Sequence, residues 1–556
     1  MRGGFVACFG PLQRPLLERA IAAFRWHHGA AEFHEGHGLA IAALAHEEDG
    51  PTVEIGATCT RVAHGAAMAP LVELEASDGR FAALECDGNV VRASRDAFGL
   101  ALLFYRPFAG SMWFSTEIGP LVSLGDTGPD LDAVAASIAH QPPPDRTGWR
   151  DIWRVLPGTR VHLTAEGRIS STAHWDPASI LGTYRGDRDE AMGQFRELLS
   201  KSVARSQTKG CGLLLSGGLD SAAVAALGPR SDDPPFCVHV TFPTLRVTDE
   251  REYAKDVARA IGAPLKIVDG PVTPWDPEED LDVSGGVPYD WVPYGIEEGA
   301  LDRMREEGIT VALDGHDGDG VVGPPGGEWG ELATRGDFRG LTRLTRAYGP
   351  KRLVAGLITD LVPPRARVFG PRSLRPGPTM TERDERYFTG PFRASLRAAD
   401  HHRAGRPATR WRMKQLQPLL PGATVNMEQK ELLAASRGID MRHPFANRHL
   451  AELLVSLPCA LKADPERPKA FVRDALEGLV APSVGERRSL STYLGVVGHR
   501  VDPGRCMELI RASRVRLPFV DYDQLFRDAD EEPERLTVFF LVYITRAHAF
   551  AGRAES

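Results

Sequence analysis

The sequence predicts an α/β protein of two domains, because its two halves carry different hydrophobic patterns. Residues 1–182 contain short apolar runs separated by Gly, Asp and Pro, which is typical of an antiparallel meander. From about residue 186, apolar strands alternate with helical segments, which predicts a doubly wound parallel sheet with added helices over residues 183–556. A length of 556 residues also favours more than one core.

The composition excludes several classes of protein. The net charge is −8, from 66 basic and 74 acidic residues, so we expect no nucleic-acid partner. The apolar runs are too short to span a bilayer, and the first ten residues lack the layout of a signal peptide, so no membrane association is expected. Seven scattered cysteines without a CxxC pair argue against a zinc site or a disulfide framework and favour a cytoplasmic location.

The central stretch of the chain is Cys211–Leu227, CGLLLSGGLDSAAVAAL. Three leucines predict a short buried strand, a glycine turn follows, and a helix begins near Asp220. Backbone N–H groups at such a helix start, with the helix dipole behind them, are suited to hold phosphate. The serine hydroxyls can add donors, and the carboxylate of Asp220 suggests Mg²⁺. The predicted nucleotide-binding residues of this stretch are Leu215, Ser216, Gly217, Gly218, Asp220 and Ser221.

Further strands and helices follow this stretch in alternation. After a helix over Glu190–Ser206, the sequence predicts the strand Phe236–Phe242, a helix over Asp249–Gly262, the strand PLKIV, a helix over Ile296–Glu307 and the strand Ile309–Leu313. The last strand leads into the glycine-rich acidic turn DGHDGDG at residues 314–320. In a parallel sheet this turn would face the phosphate loop, so Asp319 and Asp220 are predicted to hold Mg²⁺ between them.

The segment 323–412 is rich in Pro, Gly and Arg. Its composition favours a solvated, partly mobile excursion. A basic lid over an anionic substrate or pyrophosphate is the alternative interpretation. Helical segments follow near 425–436, at 449–458 and beyond residue 500.

The segment Gly79–Leu124 closely resembles the glutaminase domain of class II amidotransferases, with Arg95-Asp96, Gly99 and the run FSTE as landmarks. This resemblance implies an N-terminal-nucleophile-type αββα domain. Glutamine-using members place a cysteine directly after the initiator Met, whereas this chain has Arg2. The nearest thiol, Cys8, lies within the apolar run FVACF and is predicted to be a small buried side chain. We therefore expect a retained fold without glutaminase activity.

The second half of the chain resembles the asparagine synthetase and β-lactam synthetase superfamily. SGGLDS is similar to the pyrophosphate loop of ATP-pyrophosphatases, and GIDMRHPFANRHL (Gly438–Leu450) is similar to an asparagine synthetase signature, with Asp440 in its glutamate position and Asn447 replacing an aspartate. The resemblance implies an ATP-pyrophosphatase-type fold, ATP and Mg²⁺ as the only cofactors, and metal binding by the matched carboxylates. Further implied ATP contacts are Val240, Asp314 and Gly315.

The pyrophosphate site departs from the family pattern. The run ERRSLSTYLG carries Arg487 and Arg488, but Ser489-Leu490-Ser491 stands where family members usually have a lysine. Either these arginines or the arginine-rich excursion supplies the missing charge, or catalysis is weak.

Within the superfamily, the chain looks most like the macrolactam synthetases of lasso peptides. The features that indicate this subgroup are the DGHDGD turn followed by VVG, the helix around Glu331 and the RHPF segment. This resemblance implies AMP-forming activation of an Asp or Glu side chain in a precursor peptide, ring closure by the peptide's N-terminal amine, and two partners, a leader-binding protein and a leader protease. An amide ligase for a small amino acid and a degenerate, non-catalytic scaffold remain alternatives.

The base that deprotonates the attacking amine is predicted from the β-lactam-forming relatives. These pair a tyrosine of the glycine-rich turn with the glutamate of the signature, and the matching positions here are His316 and Asp440. A carboxylate partner would orient the histidine and raise its pKa. We therefore predict a His316–Asp440 dyad in which the histidine accepts the proton.

Overall fold

The computed structural model describes residues 3–26, 28–45, 50–65, 68–139, 143–228, 233–242, 245, 249–270, 273–284, 296–322, 327–362, 384–394, 410–464, 467, 469–487, 496 and 500–555. Their strands form two six-stranded antiparallel sheets and one five-stranded parallel sheet. The predicted α/β class is therefore confirmed.

The two antiparallel sheets belong to the first domain. One has the strand order β10-β8-β9-β1-β3-β2 and the other β12-β11-β7-β6-β5-β4. The strands are β1 (Phe5–Phe9), β2 (Ala30–Gly36), β3 (Leu39–Ala45), β4 (Thr52–Ile55), β5 (Thr60–His64), β6 (Ala82–Cys86), β7 (Val90–Arg95), β8 (Phe104–Phe108), β9 (Ser111–Ser115), β10 (Trp153–Arg154), β11 (Thr159–Thr164) and β12 (Ile169–Ala173).

Alternation of side chains along these strands builds the layers. In β1, Phe5, Ala7 and Phe9 pack against the second sheet, whereas Val6 and Cys8 face a helical layer. Helices cover the outer faces of both sheets, so the predicted αββα arrangement is observed. These helices are α1 (Arg14–Ile21), α2 (Leu71–Ala76), α3 (Ile118–Ser123) and α4 (Leu131–Ile138).

The parallel sheet has the strand order β15-β14-β13-β16-β17. Its strands are β13 (Gly212–Leu214), β14 (Phe236–Thr241), β15 (Leu265–Asp269), β16 (Val311–Leu313) and β17 (Asp440–Arg442). Each neighbouring pair runs parallel, so the carboxyl ends of all five strands lie at one edge. Separate hydrophobic clusters cover the two faces of the sheet, as a doubly wound fold requires.

Helices surround this sheet and extend to the end of the chain. Before and between the strands lie α5 (Arg188–Ser206), α6 (Leu219–Leu227), α7 (Arg251–Ala260), α8 (Pro277–Val283), α9 (Ile296–Glu306), α10 (Gly318–Val322), α11 (Glu328–Thr334), α12 (Phe338–Tyr348), α13 (Pro350–Leu361), α14 (Arg410–Leu416) and α15 (Pro421–Ala435). After β17 lie α16 (Arg448–Ser456), α17 (Cys459–Lys462), α18 (Ala470–Ala475), α19 (Pro482–Gly485), α20 (Pro503–Ala512), α21 (Tyr522–Glu531) and α22 (Val538–Glu555). None of the helices described here combines the length and apolar character that crossing a membrane would require.

The predicted excursion 323–412 contains ordered structure in its described part. Residues 327–362 form α11, α12 and α13 rather than the solvated loop that the composition favoured. Leu332 and Leu344 are buried there with Trp411 of α14, which explains why this part is helical despite its many arginines. Residues 323–326, 363–383 and 395–409 lie outside the described residues, so the lid interpretation remains a prediction.

Candidate active site

The phosphate loop follows β13, the middle strand of the parallel sheet. Gly217 has a φ of +85°, and a Cβ there would lie 2.9 Å from the carbonyl oxygen of Glu250, so only glycine fits. Ser216 Oγ accepts a hydrogen bond from the Gly218 amide at 3.2 Å and lies 3.0 Å from Ser221 Oγ. Helix α6 then begins after Gly218 without a side-chain cap, so its first N–H groups remain available to an anion.

The glycine-rich turn after β16 packs directly against this loop. β13 and β16 are neighbours, with Leu213 opposite Leu313. A Cβ on Gly315 would lie 2.5 Å from the backbone nitrogen of Ser221, and one on Gly318 would lie 2.3 Å from Cγ of Asp220. The glycines of the turn are therefore required for its close approach to the start of α6, and the predicted proximity of the two segments is observed.

A lysine joins the two predicted metal ligands. Lys469 Nζ lies 2.6 Å from Asp220 Oδ2 and 2.6 Å from Asp319 Oδ1. Burial disfavours its charge, but these carboxylates outweigh burial and raise the pKa of Lys469. Lys469 also has a φ of +56°, a left-handed conformation that costs a residue with a Cβ about 1 kcal/mol or more.

Lys469, Asp220 and Asp319 form a trio, and its two carboxylates fit a magnesium ion. Asp220 Oδ1 is buried and has no hydrogen-bond partner among the described atoms, so one oxygen remains free for a cation. Burial raises the pKa of Asp220, and a bound cation would favour its charged form. Within the described ranges, no group of three or more His, Cys, Asp or Glu side chains forms a metal site. Two carboxylates nevertheless suit Mg²⁺, which completes its coordination with water and substrate phosphate.

A second, buried cluster lies behind the turn. His443 Nδ1 is 2.8 Å from Asp314 Oδ1, and His443 Nε2 is 3.5 Å from Glu431 Oε1. Burial opposes both charges, but the pairing holds the pKa of Asp314 well below its usual range and raises the pKa of His443 to about 9. Lys430 adds a further cation, with Nζ 2.6 Å from Glu297 Oε1. At neutral pH the His443 imidazolium is therefore an internal counter-ion for the turn.

His316 and Asp440 have different partners from those predicted. His316 Nε2 lies 3.7 Å from Asp317 Oδ1, whereas Asp440 pairs with Arg80 at 3.4 Å and Arg442 at 2.8 Å. The register explains this, because Asp440 stands opposite Val311 at the start of β16, and the turn follows the other end of that strand. The predicted dyad is corrected accordingly: His443, at the carboxyl end of β17, is the signature residue that reaches the turn.

The predicted pKa shift of His316 is also wrong in direction. Although 31% of its side chain is exposed, desolvation of the ring and the charge of Lys430 lower the pKa of His316 well below its ordinary value. Its imidazole is therefore neutral near pH 7. Burial raises the pKa of the neighbouring Asp317 to about 6.

The structure describes most of the remaining predicted site residues, and Arg488 is the exception among them. Arg487 forms an ion pair with Glu250 and lies 4.5 Å from the ring of Tyr253, and both of these residues pack against Gly217. Leu215 and Val240 are buried in the sheet, and the carbonyl oxygen of Leu215 lies 2.9 Å from Nδ1 of His239. Arg488 and residues 489–491 lie outside the described residues.

Sequence reasoning missed Lys469, His443, Lys430 and Glu431. Lys469 is 249 positions from Asp220, and no local pattern links them. His443 had a usable signal, since it follows a strand of the parallel sheet, but that strand has only three residues. The two residues on α15 lie within an ordinary helical segment, where charged side chains are usually solvated.

The thiol of Cys8, in the first domain, is shielded from solvent. Cys8 is fully buried in β1, and burial raises the pKa of its thiol to about 11. A Cβ on Gly3, just before this strand, would lie 2.4 Å from the carbonyl oxygen of Leu44, so the chain is tightly enclosed there. The prediction that Cys8 is a buried side chain is confirmed, and Arg2 lies outside the described residues.

Comparison with known proteins identifies a matching protein family. The family model described as asparagine synthase matches residues 194–514, more than half of the 556-residue chain. A curated relative, "Amidase chyE" of Penicillium rubens, is 26% identical over 210 residues, which cover 34% of this chain and 31% of that protein.

Two solved structures share remote likeness. The allosteric regulatory enzyme of purine biosynthesis has 12% identity and a TM-score of 0.23, over 49% of this chain and 82% of that one. The glutamine phosphoribosylpyrophosphate amidotransferase of B. subtilis, complexed with ADP and GMP, has 11% identity and a TM-score of 0.23, over 56% and 81%.

Proposed function

The chain belongs to the asparagine synthase family, and we propose that it is an ATP-dependent amide ligase that activates a substrate carboxylate as an acyl-adenylate. The observation that carries this proposal is the trio of Asp220, Lys469 and Asp319, where the phosphate loop and the glycine-rich turn meet. The trio offers one cation and two carboxylates beside an uncapped helix start. These are the groups required to bind a polyphosphate with its metal ion.

In the first half-reaction, a carboxylate oxygen of the substrate attacks the α-phosphorus of ATP, and the bond to pyrophosphate breaks. The first N–H groups of α6 and the hydroxyls of Ser216 and Ser221 would bind the phosphate oxygens. Asp220 and Asp319 would hold Mg²⁺, which when bound neutralises phosphate charge. Lys469 adds a fixed positive charge at the same edge, which suits the developing charge on pyrophosphate.

In the second half-reaction, an amine attacks the acyl carbon and AMP leaves. A protonated amine has no lone pair for this attack, so a base must accept its proton. We propose His316 as that base, because its ring is partly exposed in the turn and neutral near pH 7. Desolvation of the ring, together with the charges of Lys430 and His443, keeps it in this neutral form.

The amine is proposed to come from the same molecule as the carboxylate. In a glutamine-using relative the first domain would supply ammonia through a reactive thiol. Here the thiol of Cys8 is buried and its pKa is raised by that burial, so it is not suited to this reaction. On this basis, and on the sequence resemblance described above, we propose a lasso peptide macrolactam synthetase that joins an Asp or Glu side chain to the peptide's own N-terminal amine. A leader-binding protein and a leader protease are its proposed partners.

The test is direct synthesis from purified components. The protein is incubated with ATP, Mg²⁺, the two partners and a synthetic precursor whose candidate acceptor is Asp or Glu, and products are identified by mass spectrometry. The expected product is lighter by one water, with one AMP released per ring. A second precursor with Asn or Gln at the acceptor should give no product. Release of AMP without loss of water from the peptide would contradict the ring-closing assignment.

Variants separate the proposed base from the proposed nucleotide site. His316→Ala should preserve ATP–pyrophosphate exchange but slow ring closure by about 10²-fold, the usual contribution of a general base. His34→Ala is the matched control, because this histidine of β2 is 30% exposed and lies 3.7 Å from Glu32, much as His316 is 31% exposed and lies 3.7 Å from Asp317. Ring closure at the wild-type rate in His316→Ala would contradict the assignment of His316 as the base.

An amide ligase for a small amino acid is the second candidate. A cavity of about 450 Å³ lies between α8, α9 and α15 and is lined by Trp275, Glu298 and Arg500 among others. That volume suits a small ligand better than a peptide. Product formation from a free amino acid in the absence of any peptide would favour this candidate.

A further inference from the structure

Helix α15 connects the first domain to the proposed active site through charged side chains. Within one turn it carries Glu428, Lys430 and Glu431. Glu428 is 1% exposed and Glu431 is 3% exposed, so both carboxylates are removed from water. Buried charges of this kind require partners with good geometry.

Arginines of the first domain provide these partners. Arg95 Nη1 lies 2.9 Å from Glu428 Oε1, and Arg154 Nε lies 2.8 Å from Glu428 Oε2. Arg80 Nη2 lies 3.3 Å from Glu431 Oε2, and its Nη1 lies 3.4 Å from Asp440 Oδ1. Arg80 therefore touches both α15 and the start of β17.

The same carboxylate of Glu431 also reaches toward the turn of the proposed active site. Glu431 Oε1 lies 3.5 Å from His443 Nε2, and His443 in turn binds Asp314 at 2.8 Å. Asp314 also accepts a hydrogen bond from the backbone amide of His316 at 3.0 Å. A continuous series of charged contacts thus runs from Arg80 through Glu431, His443 and Asp314 to the glycine-rich turn.

We propose that the first domain positions the ATP site, with Arg80 as the positioning residue that holds Glu431 of α15 and Asp440 of β17 in the register at which His443 fixes Asp314 and the glycine-rich turn. The buried pair of Arg95 and Arg154 with Glu428 anchors the same helix one turn earlier. This gives the first domain a function that needs no reactive thiol.

The register requirement explains why charge, and not only apolar packing, lies at this interface. An apolar contact tolerates small shifts along a helix, whereas an ion pair with hydrogen-bond geometry does not. A shift of α15 by one residue would turn Glu431 about 100° away from both Arg80 and His443. The turn that packs on Asp220 would then lose its link to Arg80.

The test compares Arg80→Met with two matched controls. Arg61→Met removes ion pairs to Glu54 and Glu85 inside the first domain, and Arg61 has a side-chain exposure of 23% against 20% for Arg80. Arg205→Met removes a contact between the domains, to Asp78, that does not involve α15. Arg80→Lys retains a cation and serves as the conservative variant.

Two readouts are measured on the full-length protein. Hydrogen exchange of residues 421–435 followed by mass spectrometry reports whether the helix is held, and calorimetry with Mg-ATP reports the nucleotide site. Arg80→Met should increase exchange over this segment and weaken Mg-ATP binding by about 5-fold or more, a typical coupling between sites. The two controls should resemble the wild type, and Arg80→Lys should recover part of the loss.

The inference rests on the proposed nucleotide site but not on the identity of the substrate, so the two can fail separately. A wild-type protein that binds no Mg-ATP would overturn the proposed function. A wild-type protein that binds it, together with an Arg80→Met variant of equal affinity and unchanged exchange over 421–435, would overturn the positioning role. If Arg80→Met does not fold, the same comparison is made with Arg80→Lys, and wild-type behaviour in both readouts counts against the proposal.

Discussion

Strands β1 and β13 are both short, central and buried, yet only one leads to a site. β1 lies between antiparallel neighbours, β3 and β9, and its thiol packs beneath a helical layer. β13 lies between parallel neighbours, β14 and β16, and its carboxyl end opens into the phosphate loop. β1 is followed by Gly10, which lies against Ser111, whereas β13 is followed by the serines, glycines and carboxylate of the phosphate loop.

The difference shows how strand direction gathers functional groups. Neighbours in a parallel sheet end at the same edge, so loops far apart in sequence meet there. Asp220, Asp314 and His443 follow three different strands and reach this edge together. In the antiparallel sheets successive strands end at opposite edges, so the loops that follow neighbouring strands do not meet in this way.

The largest expected effect comes from removing the carboxylates at the open edge. Asp220→Asn and Asp319→Asn should each lower the rate of AMP formation by about 10³-fold, because both charges are proposed to hold the metal ion. The rate is measured as ATP–pyrophosphate exchange with saturating Mg²⁺. Asp256→Asn on α7, whose carboxylate pairs with Arg259 at the surface, is the control.

Lys469→Met is expected to have the next largest effect. It removes the cation that bridges Asp220 and Asp319, so exchange should fall by about 10²-fold. Arg467→Met, two residues before Lys469, removes a surface pair with Asp474 and should leave exchange unchanged. Wild-type exchange in Lys469→Met, with a large loss in Arg487→Met, would assign the pyrophosphate charge to the arginine predicted from sequence.

These residues also mark how far the sequence could predict the site. The loop around Asp220 and the turn around Asp319 were predictable because each is a local pattern, a short apolar strand followed by glycines. Lys469 was not predictable, since it is 249 positions from Asp220 and meets it only in the folded chain. His443 depends on the pairing of β17 with β16, and three residues carry too little alternation to define that register.

Segment 323–412 shows a different limit of prediction from sequence. Residues 363–383 carry five of the ten prolines of segment 323–412, so the composition of the whole segment concealed the helices before them. Helix α12 starts at the N-cap Asp337, whose side chain accepts a hydrogen bond from the Gly340 amide. Leu344 then supplies its buried face, so a shorter window would have predicted this helix.

The His443 cluster predicts a pH dependence of stability. Because the folded pKa is raised to about 9 from an ordinary value near 6.5, its contribution is complete below about pH 6.5 and is lost as pH rises through about 9. The loss should amount to about 3 kcal/mol at most. Asp317, with a pKa raised to about 6, titrates below this range.

Urea unfolding at pH 6.5, 8 and 9.5 measures this contribution. The free energy of unfolding of the wild type should fall across the series, whereas that of His443→Gln should be lower at pH 6.5 and nearly constant. The slope with pH, rather than the absolute stability, isolates the histidine, because the variant also leaves Asp314 without a buried partner. Parallel slopes for the two proteins would show that His443 is neutral in the folded state.

The smallest effect is expected at the buried strand β1. Cys8→Ser should leave product formation and Mg-ATP binding within about 2-fold of the wild type. With a thiol pKa of about 11, about one molecule in 10⁴ carries a thiolate at pH 7, and the side chain is fully buried. Incubation with glutamine should therefore release no glutamate, and a thiol reagent should modify Cys8 only after unfolding. Glutamate release that disappears in Cys8→Ser would mean that β1 opens to substrate. The contrast between the buried strand β1 and the carboxyl edge of the parallel sheet would then no longer hold.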